Sequence, residues 1–222
     1  MSQRAVLFAN GEMPQTALLL QHLKPDDFYI AVDGGLRRLR NLYKTPGLVI
    51  GDLDSATAAE VSGAETQGIE VRRYPVHKDE TDLELALLAA IEKGFTEIML
   101  VGVLGGRLDH TLANLFLLTL PQLEGLKVTI ENGSEELFMI RDRATIIGQA
   151  GEVVSLIPYN GEVTGVKTTH LQYPLYRETL FPYRTRGISN VMLGDEAEVS
   201  IESGLLLCIH SRHVRRVART EE

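Results

Sequence analysis

The sequence predicts an α/β domain followed by an all-β domain, and three observations carry that expectation. Short apolar runs alternate with helix-periodic segments as far as Pro121. From about Ala144 helical periodicity almost vanishes, and short strands alternate with glycine turns instead. Acidic residues and glycines recur together where the early strands end. The expected division is an α/β domain over 1–143 and an antiparallel β-sandwich over 144–222.

In chain order, Ala5-Val6-Leu7-Phe8-Ala9 reads as a first strand ending at Asn10-Gly11, and 14–23 as a helix. Phe28-Tyr29-Ile30-Ala31-Val32 is a second strand that stops at Asp33-Gly34-Gly35, with a helix over 36–43. The glycines allow a tight turn or close approach to a ligand. Leu48-Val49-Ile50 is a third strand, delivering Gly51-Asp52-Leu53-Asp54-Ser55; a helix from Ala56 follows, with Ser55 as its N-cap. Glu70-Val71-Arg72-Arg73-Tyr74 is a short strand closed by Pro75. Thr81 caps a helix over 83–93, with Glu84 completing a capping box. Ile98-Met99-Leu100-Val101-Gly102-Val103 is the most apolar strand; it ends in Leu104-Gly105-Gly106-Arg107-Leu108-Asp109-His110, before a helix over 111–118. Strands joined by helices imply a parallel sheet covered on both faces, with right-handed crossovers. Beyond it, Lys127-Val128-Thr129-Ile130-Glu131 and Glu136-Leu137-Phe138-Met139-Ile140 are strands around a Gly133-Ser134 turn. Sandwich strands follow at 153–157, 162–166 and 197–201.

Composition narrows the function. The chain has 222 residues, 44% of them hydrophobic and 23% charged, and a formal net charge of −8. An acidic protein is not a general binder of nucleic acid. The basic tail Arg212, Arg215, Arg216 and Arg219 reads as a solvated end. The one cysteine, Cys208, leaves no internal disulfide or cysteine-rich zinc site and lies in an apolar strand-like run. No apolar stretch reaches membrane-spanning length and the N-terminus lacks a signal-peptide profile, so the expected compartment is the cytoplasm. There is no P-loop, and Gly105-Gly106 does not fit the dinucleotide fingerprint.

Parallel strands place Asp33, then Asp52 and Asp54, then Asp79 and Asp82, then Arg107 and Asp109 along one edge of the sheet. So many carboxylates repel one another unless a cation lies between them. Mg²⁺ suits them, since it takes hard oxygen ligands and usually brings substrate phosphates. Lys78 and Arg107 supply charge for phosphate oxygens, Arg107 bidentately. Blander readings stand beside this one. Asp52-Leu53-Asp54 is also a solvated turn, Asp33 a turn former, Thr81 a helix cap, and Asp82 a first-turn carboxylate favoured by the helix dipole. His77 and His110 are polar edge residues rather than a zinc pair. Three function classes follow: a phosphoryl-type transferase, a glycosyltransferase using Asp52-Leu53-Asp54 as its metal motif, and a non-catalytic nucleotide sensor. A sugar-nucleotide donor leaves a nucleoside diphosphate, and a sensor releases no product.

The motifs Asp33-Gly34-Gly35, Gly51-Asp52-Leu53-Asp54-Ser55, Lys78-Asp79-Glu80-Thr81-Asp82, Gly105-Gly106-Arg107-Leu108-Asp109-His110 and Gly187-Ile188-Ser189-Asn190 occur in the order seen in thiamine pyrophosphokinases, which the chain resembles over most of its length. The resemblance implies an N-terminal domain carrying ATP and Mg²⁺ and a C-terminal β-sandwich. It further implies a homodimer with thiamine bound where one subunit's ATP domain meets the other's sandwich. The implied reaction moves the β,γ-diphosphoryl group of ATP to the thiamine hydroxyl, giving thiamine diphosphate and AMP; another acceptor alcohol, such as a pterin, is the alternative. Carried over by motif, Asp52, Asp54 and Asp82 look like metal ligands. Asp79, Thr81, Arg107 and Asp109 look like residues around the triphosphate, and Asp33, Gly34, Gly35, Lys78 and His110 join the ATP site in the same motifs. Asp52, Asp54, Asp82, Arg107 and Asp109 form the catalytic set, with the proton acceptor open between Asp109 and Asp82. Ser189 and Asn190 match the motif that meets the aminopyrimidine. Many members have a K-W-P-L-like segment whose tryptophan packs on the thiamine rings. Leu171-Gln172-Tyr173-Pro174-Leu175 aligns with it, so Tyr173 offers the aromatic face in a chain with no tryptophan.

Overall fold

In the computed structural model, which describes residues 4–54 and 56–212, β1 (Arg4–Phe8) lies inside a parallel sheet and is buried along its whole length. Its neighbours are β2 (Phe28–Val32) and β5 (Glu97–Val101), Leu7 lying opposite both Ile30 and Leu100. With β3 (Leu48–Gly51), β4 (Glu70–Arg73) and β6 (Lys127–Glu131) the order is β6-β5-β1-β2-β3-β4, with every neighbouring pair parallel. The chain steps outward from β1 to β4, then returns to the far side of β1. The order therefore reverses between β1 and β5, the kind of place where open α/β sheets bind ligands. Strands buried on both faces need unbroken apolar runs, which is why Leu48-Val49-Ile50 and Ile98-Met99-Leu100-Val101 are so plain in the sequence.

The connecting helices are α1 (Thr16–His22), α2 (Gly35–Asn41), α3 (Ala58–Thr66), α4 (Asp82–Glu92) and α5 (Leu108–Leu117). Helix α3 starts at Ala58 rather than Ala56. Its cap is Thr57, which accepts from the Glu60 N–H at 3.2 Å while Glu60 Oε2 accepts from the Thr57 N–H at 2.8 Å. That reciprocal box supersedes the cap expected of Ser55, which lies outside the described residues. At α4, Thr81 is the cap as expected, accepting from the Glu84 N–H at 3.2 Å.

A buried ion pair is built into this parallel-sheet unit. Arg4 forks onto Asp27, Nε to Oδ1 and Nη2 to Oδ2, both at 2.7 Å, and Asp27 also accepts from the Lys24 N–H at 2.6 Å. The Asp27 side chain is fully buried. Asp27→Ala leaves an uncompensated buried guanidinium and should lower stability by about 3 kcal/mol, read by urea unfolding. Replacing the pair together, Arg4→Met with Asp27→Leu, should recover most of that loss.

The chain divides between Gly133 and Ser134. The second unit comprises β7 (Glu135–Ile140), β8 (Arg143–Ile147), β9 (Val153–Pro158), β10 (Val163–Thr169), β11 (Tyr176–Leu180), β12 (Asn190–Val191), β13 (Glu196–Ser200) and β14 (Leu206–Ser211). β7 pairs antiparallel with β14 along its whole length and falls in this second unit, ahead of the boundary expected near 143. The antiparallel arrays β12-β9-β14-β7 and β11-β10-β13-β8 contribute to one shared core, in which Val154, Leu156, Leu206 and Cys208 meet Ile146, Val166, Leu180 and Val199. Burial alternates along β9 and β13, as a sandwich requires. Cys208 is fully buried, and desolvation pushes its thiol well above the ordinary cysteine range, so it is inert. Of the basic tail, Arg212 bonds Glu136 at 3.2 Å; Arg215, Arg216 and Arg219 lie outside the described residues.

Candidate active site

Three loops on the carboxyl edge of the parallel sheet hold the acidic residues. After β2, Asp33 adopts φ +47°, and Gly35 follows at a place where a Cβ would lie 1.7 Å from the Phe8 carbonyl oxygen. The second glycine of Asp33-Gly34-Gly35 is therefore required by the protein's own backbone, where α2 starts against β1. After β3, Leu53 adopts φ +62° and turns inward to near-complete burial, leaving Asp52 and Asp54 on either side of it. Asp52 Oδ1 accepts from the Asp54 N–H at 3.1 Å, closing a short Asx turn. Non-glycine residues seldom occupy this backbone region, and each costs about 1–3 kcal/mol unless its surroundings hold it there.

The result is a cluster: Asp33, Asp52 and Asp54 each offer a carboxylate oxygen within 4.8 Å of the others. Asp33 Oδ1 is buried without a hydrogen-bond donor. A buried carboxylate oxygen without a donor normally needs explaining. A hard divalent cation among the three would give it a partner, and the all-oxygen set fits Mg²⁺. Asp82, expected among the ligands, lies outside this cluster. It opens α4 with Oδ1 2.9 Å from Lys78 Nζ, which also donates to the Pro75 carbonyl at 3.1 Å. Thr81 is occupied with capping, and Asp79 is exposed.

The loop after β5 carries the cationic group. Arg107 and Asp109 are both largely exposed and form a two-pronged pair, Nη2 to Oδ2 at 2.6 Å and Nε to Oδ1 at 3.2 Å. The guanidinium holds the Asp109 carboxyl below its usual range, helped by the His110 N–H. The end of β1 ties the loops together through Glu12, a residue missed in the sequence. Glu12 Oε1 accepts from the Gly106 N–H at 3.1 Å, and the N–H groups of Gly11 and Glu12 donate to the carbonyls of Gly102 and Leu104. Arg38 of α2 donates to the Asn10 and Gly11 carbonyls at 3.2 and 3.3 Å. Asn10-Gly11-Glu12 thereby links the loops that carry Asp33 and Arg107. Its sequence signal was its place at the end of β1, beside the point where strand order reverses.

In the second unit, Tyr173, Thr185, Arg186, Ile188 and Asn190 border a small solvent-open hollow. Tyr173 is 55% exposed, while Asn190 is buried. Gly187 adopts φ +100°, and a Cβ there would lie 2.8 Å from the Leu156 carbonyl oxygen. Ser189, at φ +56°, is exposed, and its N–H donates to Ser155 Oγ at 3.0 Å. Arg186, also missed in the sequence, is braced by Glu178 through bonds of 3.0 and 2.8 Å.

Two family models match the chain: the thiamin pyrophosphokinase catalytic domain over residues 19–130 and the thiamin pyrophosphokinase vitamin B1 binding domain over residues 142–206. A curated thiamine pyrophosphokinase from Bacillus subtilis (strain 168) is 30% identical over 185 residues, 82% of this chain and 86% of that protein. Among solved structures, the B. subtilis thiamine pyrophosphokinase superposes with a TM-score of 0.85 at 27% identity, covering 95% of this chain and all of that one. The Geobacillus thermodenitrificans enzyme gives 0.81 at 27% identity, covering 96% and 99%. Yeast thiamin pyrophosphokinase shares the fold at 15% identity, with a TM-score of 0.78 over 95% of this chain and 86% of that one.

Proposed function

Because the chain belongs to the thiamin pyrophosphokinase family, we propose that it transfers the β,γ-diphosphoryl group of ATP to the primary hydroxyl of thiamine, releasing AMP. The observation that carries the reading is the cluster of Asp33, Asp52 and Asp54, with the donorless Asp33 Oδ1, on the ligand-binding edge of the sheet. The acceptor oxygen attacks the β-phosphorus. The bond from that phosphorus to the oxygen shared with the α-phosphate breaks, AMP leaves with that oxygen, and the hydroxyl proton is lost.

We assign Asp33, Asp52 and Asp54 to holding Mg²⁺, which supplies charge neutralisation for the phosphates. Asp82, outside that cluster and paired with Lys78, is assigned to the same site as a further carboxylate for the metal. We assign Lys78 and Arg107 to the phosphate oxygens, and Gly34, Gly35, Asp79, Thr81 and His110 to the ATP site around them. Arg107 lowers the proton affinity of Asp109, which makes Asp109 a poor base and suits it to aiming the guanidinium. Phosphoryl transfer asks mainly for positioning and charge neutralisation, so a strong base is not required. In the sandwich, Tyr173 is the aromatic face for the cationic thiazolium, with Ser189 and Asn190 beside it.

The assembly we propose is a homodimer whose partner subunit supplies the sandwich to each ATP domain. Helix α5 supports it. Leu108, Leu112 and Phe116 recur every fourth residue and are all exposed, and the helix buries none of its residues in the isolated chain. The cytoplasm is the proposed compartment; among the described residues no helix is long and apolar enough to cross a membrane.

The test is incubation with ATP, Mg²⁺ and thiamine, followed by mass analysis. AMP should appear one-for-one with thiamine diphosphate. ADP with thiamine monophosphate would mean attack at the γ-phosphorus, and a nucleoside diphosphate from a sugar donor would make the chain a glycosyltransferase.

A further inference from the structure

Asn190 spends its amide oxygen on two backbone N–H groups and one of its two amide hydrogens on a backbone carbonyl. Its Oδ1 accepts from the Tyr173 N–H at 2.9 Å and from the Val191 N–H at 3.0 Å. Its Nδ2 donates to the Tyr173 carbonyl at 2.7 Å. The side chain thus pairs with both backbone groups of Tyr173 across 17 residues, as a neighbouring strand would. Asn190 is 3% exposed, whereas Tyr173 is 55% exposed. The loop is held on both sides of that clasp: the Gln172 N–H donates to the Val191 carbonyl at 2.8 Å, and the Leu175 N–H to Thr168 Oγ1 at 2.9 Å. The aromatic ring of Tyr173 therefore stands on a backbone fixed almost entirely by side-chain and cross-loop bonds.

We propose that Asn190 is a positioning residue that acts on thiamine through Tyr173, fixing the pitch of the aromatic face rather than bonding the substrate. Only an amide satisfies the clasp, because it must accept from one backbone group and donate to the other. Aspartate keeps both acceptances, loses the donation and sets a carboxylate against a carbonyl. The proposal rests on the assignment of Tyr173 to the thiamine site.

A double-mutant cycle separates the possibilities. Asn190→Ala should raise the thiamine KM about tenfold, leaving the ATP KM unchanged, because the loosened ring no longer stacks. Tyr173→Ala should do the same, also about tenfold. If Asn190 works through Tyr173, the double variant remains at about tenfold, since the second substitution removes nothing further. Asn190→Asp guards against a folding artefact: it should keep the cooperative melting transition and still raise the thiamine KM. An additive result near a hundredfold would show direct contact between Asn190 and thiamine and overturn the positioning role, leaving the thiamine site standing. An unchanged thiamine KM in Tyr173→Ala would remove both the aromatic platform and the role of Asn190.

Discussion

Asp52→Asn should reduce turnover with saturating ATP, Mg²⁺ and thiamine by at least about a hundredfold while the protein stays folded. The substitution is nearly isosteric, and Asn still offers a carbonyl oxygen to the Asp54 N–H, so the turn between the two positions survives. What it removes is one of three carboxylate oxygens gathered within 4.8 Å. In the absence of Mg²⁺ those like charges oppose folding, so the variant's melting temperature without metal should equal or exceed that of the parent. Metal should then stabilise the parent, by about 2.7 kcal/mol at a hundredfold excess over Kd, and the variant far less. Titrating Mg²⁺ against melting temperature reads this without any turnover. An active variant with an unchanged metal response would remove Asp52 from the site.

Mixing two inactive variants should restore activity, and this tests the proposed assembly. Asp52→Asn disables the acidic cluster of the first unit. Thr185→Trp fills the hollow of the second, at an exposed position on its rim, so it closes the thiamine side without disturbing the core. If each site combines the first unit of one subunit with the second unit of its partner, a mixed dimer has one site with both defects and one with neither. With complete random exchange about half the dimers are mixed, so about a quarter of all sites regain function. If each site were built within one chain, every site would carry a defect and nothing would return. The measurement is AMP release after co-refolding, with mixed dimers verified by mass. Silence from a preparation that contains them would put the whole site in a single subunit.

The parallel sheet was legible because its strands are buried on both faces and written as unbroken apolar runs. The sandwich was less so. Strands such as β11 and β12 are short or have no clean alternation, and their pairing is decided by partners distant in the chain. Helix α5 begins at Leu108, three residues before the expected start, because Arg107 caps it by backbone conformation alone and no side chain announces it. At α3 two candidate caps lie within three residues, Ser55 and Thr57, and the reciprocal bond with Glu60 is what selects Thr57. The acidic residues of the site were visible as motifs, but their grouping was not. Asp33 joins Asp52 and Asp54 through two unusual backbone angles, and Glu12 braces a loop 94 residues away. No local spacing encodes either.

The left-handed backbone at Asp33 bears on how this enzyme can decay. Asparagine enters that conformation as readily as aspartate does, whereas larger and β-branched residues resist it. The substitution that removes charge from the cluster is thus among those the fold accepts most easily, and the product escapes the misfolding that normally eliminates defective chains. A lineage freed from the need for catalysis would drift there first. It would keep the loops of the sheet edge, with Lys78 and Arg107 still in their ion pairs, and so leave behind a folded protein rather than a lost gene.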